Sequence, residues 1–491
     1  MILRFDRGTL ILSEPPNNLE FGDVPGVTWD PRTSEFRAPA HRYNEVVTML
    51  RQRNLEVEDH VRPKARLNIR EPVSLRPYQE SALHAWQLGG RRGIVALPTG
   101  SGKTRLAIAA IAASNLPALV LVPTRVLLAQ WCQEIEKCLG VLPGCFGDGE
   151  FRHGLVTVAT FESAYRHMSR IGNEFDLLII DEVHHFGSGV REEVLVMSAA
   201  SLRLGLTATP PKDIAAITRL RELLGPVVYE LAIADLTGEY LAEYELTTLT
   251  LPLNENERAV YELDMARFRP VCRQFFRLNP MATWADFIRF ANQTDDGRRA
   301  LESWRRARSL LSYIDAKRAT LAHILRRFTN ARILVFTADN ETSYAIAREF
   351  LIMPITCDIK RRERAKALER FRTGELRALV SARVLNEGLD VPDADVAVIV
   401  GGGTSEREQV QRIGRLLRPS PGKRAQVFEL VAADTTEVRH AQRRRQGLGC
   451  HRESSRHGSP NQRWGASAHP PMAGYAHAPP SQGNSSWDRS W

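Results

Sequence analysis

The chain has 491 residues, more than one hydrophobic core normally serves, and this length predicts at least two domains. Hydrophobic residues make up 43% of the sequence, as in globular proteins, and no apolar run or N-terminal segment predicts a membrane span or a signal peptide. A net charge of +9 fits a polyanionic partner, but also an ordinary basic protein. We therefore expect a cytoplasmic protein without a membrane partner.

The cysteines show no C-x-x-C pair, so their spacing favours reduced thiols over a zinc site or disulfides. Three of them fall within residues 132–145, which leaves a metal or cluster as a minor alternative. The six are Cys132, Cys138, Cys145, Cys272, Cys357 and Cys450.

Residues 1–62 predict a small α+β domain. Two short apolar segments, at 27–30 and 35–38, flank a turn, and a helix is expected from about His41 to Arg53.

Residues 63–240 predict a first α/β domain. Short apolar runs at 93–97, 118–122, 155–159, 177–180 and 202–206 alternate with helical patterns. Such runs indicate strands buried on both faces, in a parallel sheet covered by helices.

A glycine-rich turn follows the first of these strands, and a helix begins directly after the turn. This arrangement is typical of a phosphate-binding loop. Its glycines allow backbone N–H groups to converge, Lys103 supplies charge for the β- and γ-phosphates of ATP, and Thr104 is placed to bind Mg²⁺. Leu97 replaces the first glycine of the strict pattern, and an ordinary turn is the alternative. The segment consists of Pro98, Thr99, Gly100, Ser101, Gly102, Lys103 and Thr104.

The apolar run 177–180 ends in two acids, Asp181 and Glu182. The tip of a buried strand is where α/β proteins bind ligands, so Asp181 is predicted to hold Mg²⁺ and Glu182 to activate the attacking water. A helix-capping acid pair is the alternative. The histidines that follow lack metal-site spacing, and His184 is expected to link the ATP site to a second domain.

Residues 241–445 repeat the α/β pattern, with strands expected at 333–336, 378–380, 396–400 and 427–430. A helical stretch at about 255–325 is rich in aromatic and basic side chains, which would suit a grip on nucleic acid or a helix with a buried aromatic face. Residues 446–491 are expected to be disordered. The aromatic and basic residues are Trp284, Trp304, Arg305, Arg306 and Arg308.

Helical spacing places Gln411, Arg415 and Arg418 on one face. A solvated basic helix would look similar. In a chain with a phosphate loop, the pattern predicts arginine fingers carried by the second domain, so that ATP would join the two domains and hydrolysis would release them.

Four motifs in this order resemble those of superfamily-two helicases of the DExH type: the phosphate loop, Asp181-Glu-Val-His184, Thr207-Ala-Thr209 and Gln411-x-x-Gly-Arg-x-x-Arg418. Within that superfamily, residues 1–445 resemble the archaeal and bacterial XPB-type DNA helicases. The resemblance implies two tandem RecA-like domains, a damage-recognition domain at the N-terminus and a helical thumb.

The resemblance also assigns roles outside these motifs. In Leu75-Arg-Pro-Tyr-Gln-Glu80 it implies that Gln79, with Arg76, binds adenine, and in the second domain that Gly388 and Asp390 take part at the nucleotide. It further implies that Thr207 and Thr209 couple the site to DNA.

One stretch departs from the family. Where XPB proteins carry an Arg-Glu-Asp loop implicated in opening the duplex, this chain has Lys212, Asp213 and Ile214. We therefore expect an ATP-dependent DNA helicase or translocase, of 3′ to 5′ polarity, that acts on forked or damaged DNA mainly through phosphates and works beside a nuclease or repair factor. The alternatives are a duplex translocase of a restriction or DNA-uptake system, a non-catalytic damage-binding scaffold and, less favoured, movement on RNA.

Overall fold

The computed structural model describes residues 1–14, 24, 26–62, 65–69, 72–187, 189, 191–211, 213–236, 240, 243–382, 394–401 and 424–446. Structural statements below concern these residues. The expected tail at 446–491 therefore lies, apart from its first residue, outside the described part.

The N-terminal domain is a five-stranded sheet with one helix packed on it. Its strands lie in the order β3-β4-β2-β1-β5 and are antiparallel, except that β5 runs parallel to β1. Helix α1 packs Tyr43, Val46, Val47 and Leu50, spaced along one face, into the core of the domain. The elements are β1 (Ile2–Asp6), β2 (Thr9–Ser13), β3 (Thr28–Asp30), β4 (Glu35–Pro39), α1 (Tyr43–Gln52) and β5 (Glu58–Asp59).

The first α/β domain has an eight-stranded sheet in the order β13-β6-β12-β11-β7-β10-β8-β9, parallel except for the β8–β9 hairpin. Its central strands are buried along their length because helices cover both faces. The strands are β6 (Arg92–Ala96), β7 (Ala118–Val122), β8 (Gly144–Gly147), β9 (Glu150–Arg152), β10 (Val156–Thr160), β11 (Leu177–Ile180), β12 (Leu202–Thr207) and β13 (Val227–Glu230).

Most helices of this domain connect strands of the sheet, as expected for a doubly wound fold. They are α2 (Pro77–Leu88), α3 (Lys103–Ser114), α4 (Arg125–Leu139), α5 (Phe161–Ile171), α6 (Glu193–Val196), α7 (Ile214–Leu223) and α8 (Ile233–Leu236).

The second α/β domain has a parallel sheet in the order β14-β19-β18-β15-β17-β16. Its strands are β14 (Glu243–Leu251), β15 (Ile333–Phe336), β16 (Met353–Ile355), β17 (Ala378–Ser381), β18 (Val396–Ile399) and β19 (Arg424–Ala432). The two tandem parallel sheets confirm the predicted fold class.

A helical insertion follows β14 and has its own aromatic core. Trp284 and Trp304 are half-buried and pack against Phe268, whereas Arg308 lies over the Trp304 ring at 4.9 Å. The insertion thus shows the buried aromatic face that was one of its two interpretations. Its helices and those after it are α9 (Glu255–Leu278), α10 (Trp284–Gln293), α11 (Asp295–Ser312), α12 (Asp315–Arg327), α13 (Asn340–Phe350), α14 (Arg361–Arg372) and α15 (Thr436–Gln446).

The N-terminal domain contacts the first α/β domain. Arg62 forms an ion pair with Asp176, and Arg42 donates to Glu222 at 3.1 Å. Among the described helices, none has the length and apolar composition needed to cross a bilayer.

Candidate active site

One edge of the first sheet gathers the predicted motifs. The phosphate loop follows β6, Asp181 follows β11 and Thr207 ends β12, and these strands are neighbours or next neighbours in the sheet. Because the strands are parallel, their carboxyl ends meet at the same edge.

The phosphate loop depends on two glycines with left-handed backbone angles. Gly100 has φ +85° and Gly102 φ +81°, and α3 begins directly afterwards at Lys103. The Lys103 ammonium donates to the carbonyls of Leu97 at 3.1 Å and Pro98 at 3.4 Å. It thus bonds to the loop itself, in the region where a phosphate would compete for it.

The segment before β6 is hydrogen-bonded to the phosphate loop. Gln79 donates from Nε2 to the Ser101 carbonyl at 2.8 Å and to the Gly102 carbonyl at 3.3 Å, while its Oε1 accepts from the Arg76 amide at 2.9 Å. The side chain assigned to adenine by resemblance therefore supports the phosphate loop in this conformation. Binding adenine would require it to exchange these bonds.

The two acids at the end of β11 have different surroundings. Asp181 is buried, and its Oδ2 accepts a 3.0 Å hydrogen bond from Trp131 Nε1. Glu182 has φ +52°, a left-handed angle that is costly for a side chain with a Cβ. Backbone strain of this kind, here at the glutamate predicted to activate water, is typical of functional positions.

The histidine of the motif connects two strand ends. His184 Nδ1 lies 3.3 Å from Glu182 Oε2 and 3.3 Å from Thr207 Oγ1. The Thr207 hydroxyl in turn donates to the Thr209 carbonyl at 2.9 Å and accepts from the Thr209 amide. The structure thus links the three residues predicted to couple the site in series, with Thr207 bonded to both His184 and Thr209.

Burial and charge separate the pKa values of the acids. Burial, followed by the charge of Glu182, raises the pKa of Asp181. Burial would also raise the pKa of Glu182, but interactions with His184 and Lys103 lower it below its usual range. Glu182 is therefore ionised at neutral pH, as a base must be.

The donor set fits a magnesium ion. Thr104 and Asp181 offer hydroxyl and carboxylate oxygens, which Mg²⁺ prefers. Three buried oxygens among the described side chains make no hydrogen bond, and two of them, Thr99 Oγ1 and Glu182 Oε2, belong to the motifs of this site; the third is Ser201 Oγ. The site therefore has oxygens available to a ligand or water.

Several predicted residues cannot be placed. Gly388, Asp390, Gln411, Arg415, Arg418 and Lys212 lie outside the described residues. At the loop that departs from the family, Asp213 accepts from the Ala216 amide at 2.8 Å and caps α7, while Ile214 is 80% exposed.

Two contacts of the site had no signal in the sequence. Trp131 fixes Asp181 from α4, and the Tyr78 hydroxyl donates to the Ser101 carbonyl at 2.6 Å. Tyr78 adjoins the predicted Gln79, but nothing in the pattern shows which way either side chain points.

Two parallel sheets in tandem, with a phosphate loop and an Asp-Glu-x-His strand end on the first, define an ATPase of the superfamily-two helicase class. Three family models match separate parts of the chain. Residues 3–61 match the Xeroderma pigmentosum group B helicase damage recognition domain, residues 72–212 the type III restriction enzyme res subunit, and residues 316–420 the helicase conserved C-terminal domain.

Individual proteins similar to this chain indicate the same family. The chain is 34% identical to the DNA 3′-5′ translocase XPB2 of Sulfurisphaera tokodaii, over 90% of this chain and 99% of that protein, and 28% identical to the DNA 3′-5′ helicase XPB of Mycobacterium tuberculosis, over 77% and 64%. The Hef helicase domain of Pyrococcus furiosus shares the fold, with TM-score 0.50 and 19% identity over 75% of this chain and 97% of that one. The chain belongs to the XPB family of DNA helicases, which are enzymes that hydrolyse ATP.

Proposed function

We propose that this XPB-family helicase moves 3′ to 5′ along DNA and hydrolyses ATP at the carboxyl edge of its first sheet. Lys103 binds the β- and γ-phosphates, and Glu182 takes the proton of the attacking water. The observation that carries the proposal is the position of Glu182, which is ionised, half-buried and in contact through His184 with Thr207 at the next strand end.

Thr104 and Asp181 would hold the Mg²⁺ that accompanies ATP. When bound there, the ion neutralises charge on the phosphates. The protein contributes the buried, oriented carboxylate, since Trp131 and the Glu182 amide each donate to one of its oxygens.

The second domain would complete the site. Gln411, Arg415 and Arg418 would reach the γ-phosphate, and Gly388 and Asp390 would lie at the nucleotide. An arginine finger contributes about 10³ to 10⁵ in rate, so ATP turnover would depend on closure of the two domains. This part of the proposal is supported by the motif spacing and the family membership.

We infer four segments: a damage-recognition domain at 1–62, a first ATPase domain at 63–240, a second at 241–445 with a thumb at about 255–325, and a tail at 446–491. The substrate would be forked or damaged duplex DNA, held mainly through phosphates. The protein would act in the cytoplasm at the nucleoid, in DNA repair and beside a nuclease or repair factor.

Translocation without strand separation is the second candidate. The match of residues 72–212 to a restriction-enzyme subunit and the surroundings of Asp213 favour it. In the family, this loop is associated with duplex opening and carries two acids. Here the first acid, Asp213, caps α7, and an isoleucine, Ile214, stands in place of the second.

ATP hydrolysis and strand displacement on single-stranded, duplex, forked and damaged DNA, at two salt concentrations, test these proposals. We expect DNA to stimulate turnover and salt to weaken it. Glu182→Gln and Lys103→Ala should abolish stimulated hydrolysis, whereas Glu134→Gln on the exposed side of α4 should not.

Unwinding of forks supports the helicase, and duplex-stimulated hydrolysis without strand displacement supports the translocase. Stimulation by RNA but not by DNA, or turnover that survives Glu182→Gln, would contradict the assignment of substrate or site.

A further inference from the structure

The tyrosine before Gln79 is bonded to the phosphate loop. Tyr78 is 7% exposed, and its hydroxyl donates to the carbonyl of the fully buried Ser101 at 2.6 Å. Ser101 lies between the two left-handed glycines of the loop. Any change in the loop backbone at Ser101 therefore acts directly on the Tyr78 side chain.

The Tyr78 ring packs in turn against Tyr240. The two rings meet edge to face, with centroids 4.8 Å apart and planes at 65°. Arg76 holds the same residue from another side, because its guanidinium lies 5.8 Å from the Tyr240 ring centroid and its Nη1 3.5 Å from the Tyr240 carbonyl.

Tyr240 stands at the boundary between the two ATPase domains. Its amide donates at 3.0 Å to the carbonyl of Leu236, the final residue of α8, and Leu236 is 2% exposed in the core of the first domain. Three positions later, at Glu243, β14 begins and pairs with β19 along all nine of its residues. Tyr240 is thus anchored on the first domain immediately before the chain enters the second sheet.

The lysine of the phosphate loop is hydrogen-bonded within the loop itself. Lys103 bonds to the Leu97 and Pro98 carbonyls, and it must leave them to bind a nucleotide. We propose that Tyr240 is a positioning residue that, through Tyr78 and the Ser101 carbonyl, conveys the state of the phosphate loop to the second ATPase domain. The proposal rests on the proposed function, because it concerns the domain closure that completes the ATP site.

The test compares Tyr240→Ala, Tyr240→Phe and Tyr78→Phe in the full chain. Tyr240→Phe keeps the ring and serves as the conservative control. Tyr78→Phe keeps the ring and removes the hydroxyl, which donates to the Ser101 carbonyl and accepts from Arg76 Nη1 at 3.4 Å. We measure kcat and KM for ATP with and without duplex DNA, and the affinity for a fluorescent ATP analogue.

We expect Tyr240→Ala and Tyr78→Phe each to lower DNA-stimulated kcat by roughly five- to tenfold, with KM and analogue affinity changed by less than about twofold. In the double variant the two losses of kcat should not add, because both substitutions interrupt the same series of contacts. Tyr240→Phe should behave as wild type.

A second readout does not depend on turnover. Dyes attached to amino acids introduced at the exposed positions Leu142 and Leu351, one on each domain, should approach when a non-hydrolysable ATP analogue and DNA bind the wild type. In Tyr240→Ala this change should be reduced at saturating analogue.

Equal loss in Tyr240→Phe and Tyr240→Ala, additive losses, or an unchanged distance response in a folded Tyr240→Ala would overturn the proposal. Absence of DNA stimulation in the wild type would instead contradict the proposed function, so the two failures are distinguishable.

Discussion

Trp131 on α4 donates its indole N–H to Oδ2 of Asp181, 3.0 Å away at the end of β11. Trp131 is 1% exposed, so this bond joins a core side chain to the carboxylate proposed to hold Mg²⁺. The other oxygen of Asp181 accepts from the Glu182 amide at 3.0 Å. The orientation of the carboxylate is therefore fixed from both sides.

Trp131→Phe should weaken Mg²⁺-dependent hydrolysis while the fold is kept. The ring still fills most of the space, but Oδ2 loses a charge-assisted hydrogen bond worth about 1.5 to 3 kcal/mol. We expect about a tenfold higher Mg²⁺ requirement in ATPase titrations. Trp29→Phe, at a half-exposed position in the N-terminal domain, is the matched control, and an unchanged Mg²⁺ curve for Trp131→Phe would count against the role of Asp181.

Gly102→Ala should disrupt the phosphate loop for two reasons. Its φ of +81° disfavours a side chain, and a Cβ there would lie 2.5 Å from Gln79 Nε2. Gly140 also has a positive φ, +65°, but open space around it. Gly140→Ala should therefore cost only about 1 to 2 kcal/mol of stability with ATP binding intact, whereas Gly102→Ala should lower ATP affinity by at least about tenfold.

Titration of each variant with a fluorescent ATP analogue, alongside thermal unfolding, separates the two contributions. Equal affinities for the two alanine variants would show that the contact with Gln79 does not shape the loop.

The two sheets could be predicted because their strands are apolar on both faces. The run 177–180 is an example, since all four residues of Leu177–Ile180 are buried. The phosphate loop and the Asp-Glu pair were also predictable, because both directly follow such strands. The sequence does not show which side chains on elements distant along the chain point towards each other.

The contact between Trp131 and Asp181 illustrates this limit, because fifty positions separate the two residues. The Gln79 amide is another example: its residue was singled out, but its bonds to the Ser101 and Gly102 carbonyls depend on the packing of α2 against the loop. The arginines at 415 and 418 stay predictions.

Arg203→Met should destabilise the first ATPase domain severely. Arg203 is fully buried on β12, and its guanidinium donates to four backbone carbonyls at 2.6 to 3.1 Å, those of Leu195, Ser198, Ala200 and Leu223. Methionine leaves all four without this donor, so we expect a loss of more than about 3 kcal/mol.

Thermal unfolding compares this variant with Arg221→Met, on the exposed surface of α7, which should stay within about 0.5 kcal/mol of wild type. Retention of the wild-type melting temperature by Arg203→Met would mean that water or a shifted side chain satisfies the carbonyls.

Acid should weaken the protein through His41, where the N-terminal domain meets the first ATPase domain. Burial, followed by the charges of Arg203 and Arg42, lowers the pKa of His41 to about 4, although Glu222 lies 4.0 Å from its Nε2 and opposes the shift. An unfolded histidine takes up a proton near pH 6.5, whereas the folded one stays neutral until about pH 4. Between these two pH values the protein takes up a proton when it unfolds. The free energy of unfolding must therefore fall as pH falls from 6.5 to 4.

The loss attributable to His41 should reach about 2 to 3 kcal/mol at the acid end and vanish above about pH 7. We expect His41→Leu to flatten the dependence of the melting temperature on pH between 7.5 and 5, whereas His60→Gln, at an exposed position, should keep the wild-type slope. The comparison of the two variants therefore contrasts a buried imidazole with an exposed one. A slope in His41→Leu as steep as that of wild type would show that the buried histidine is not the group that takes up the proton.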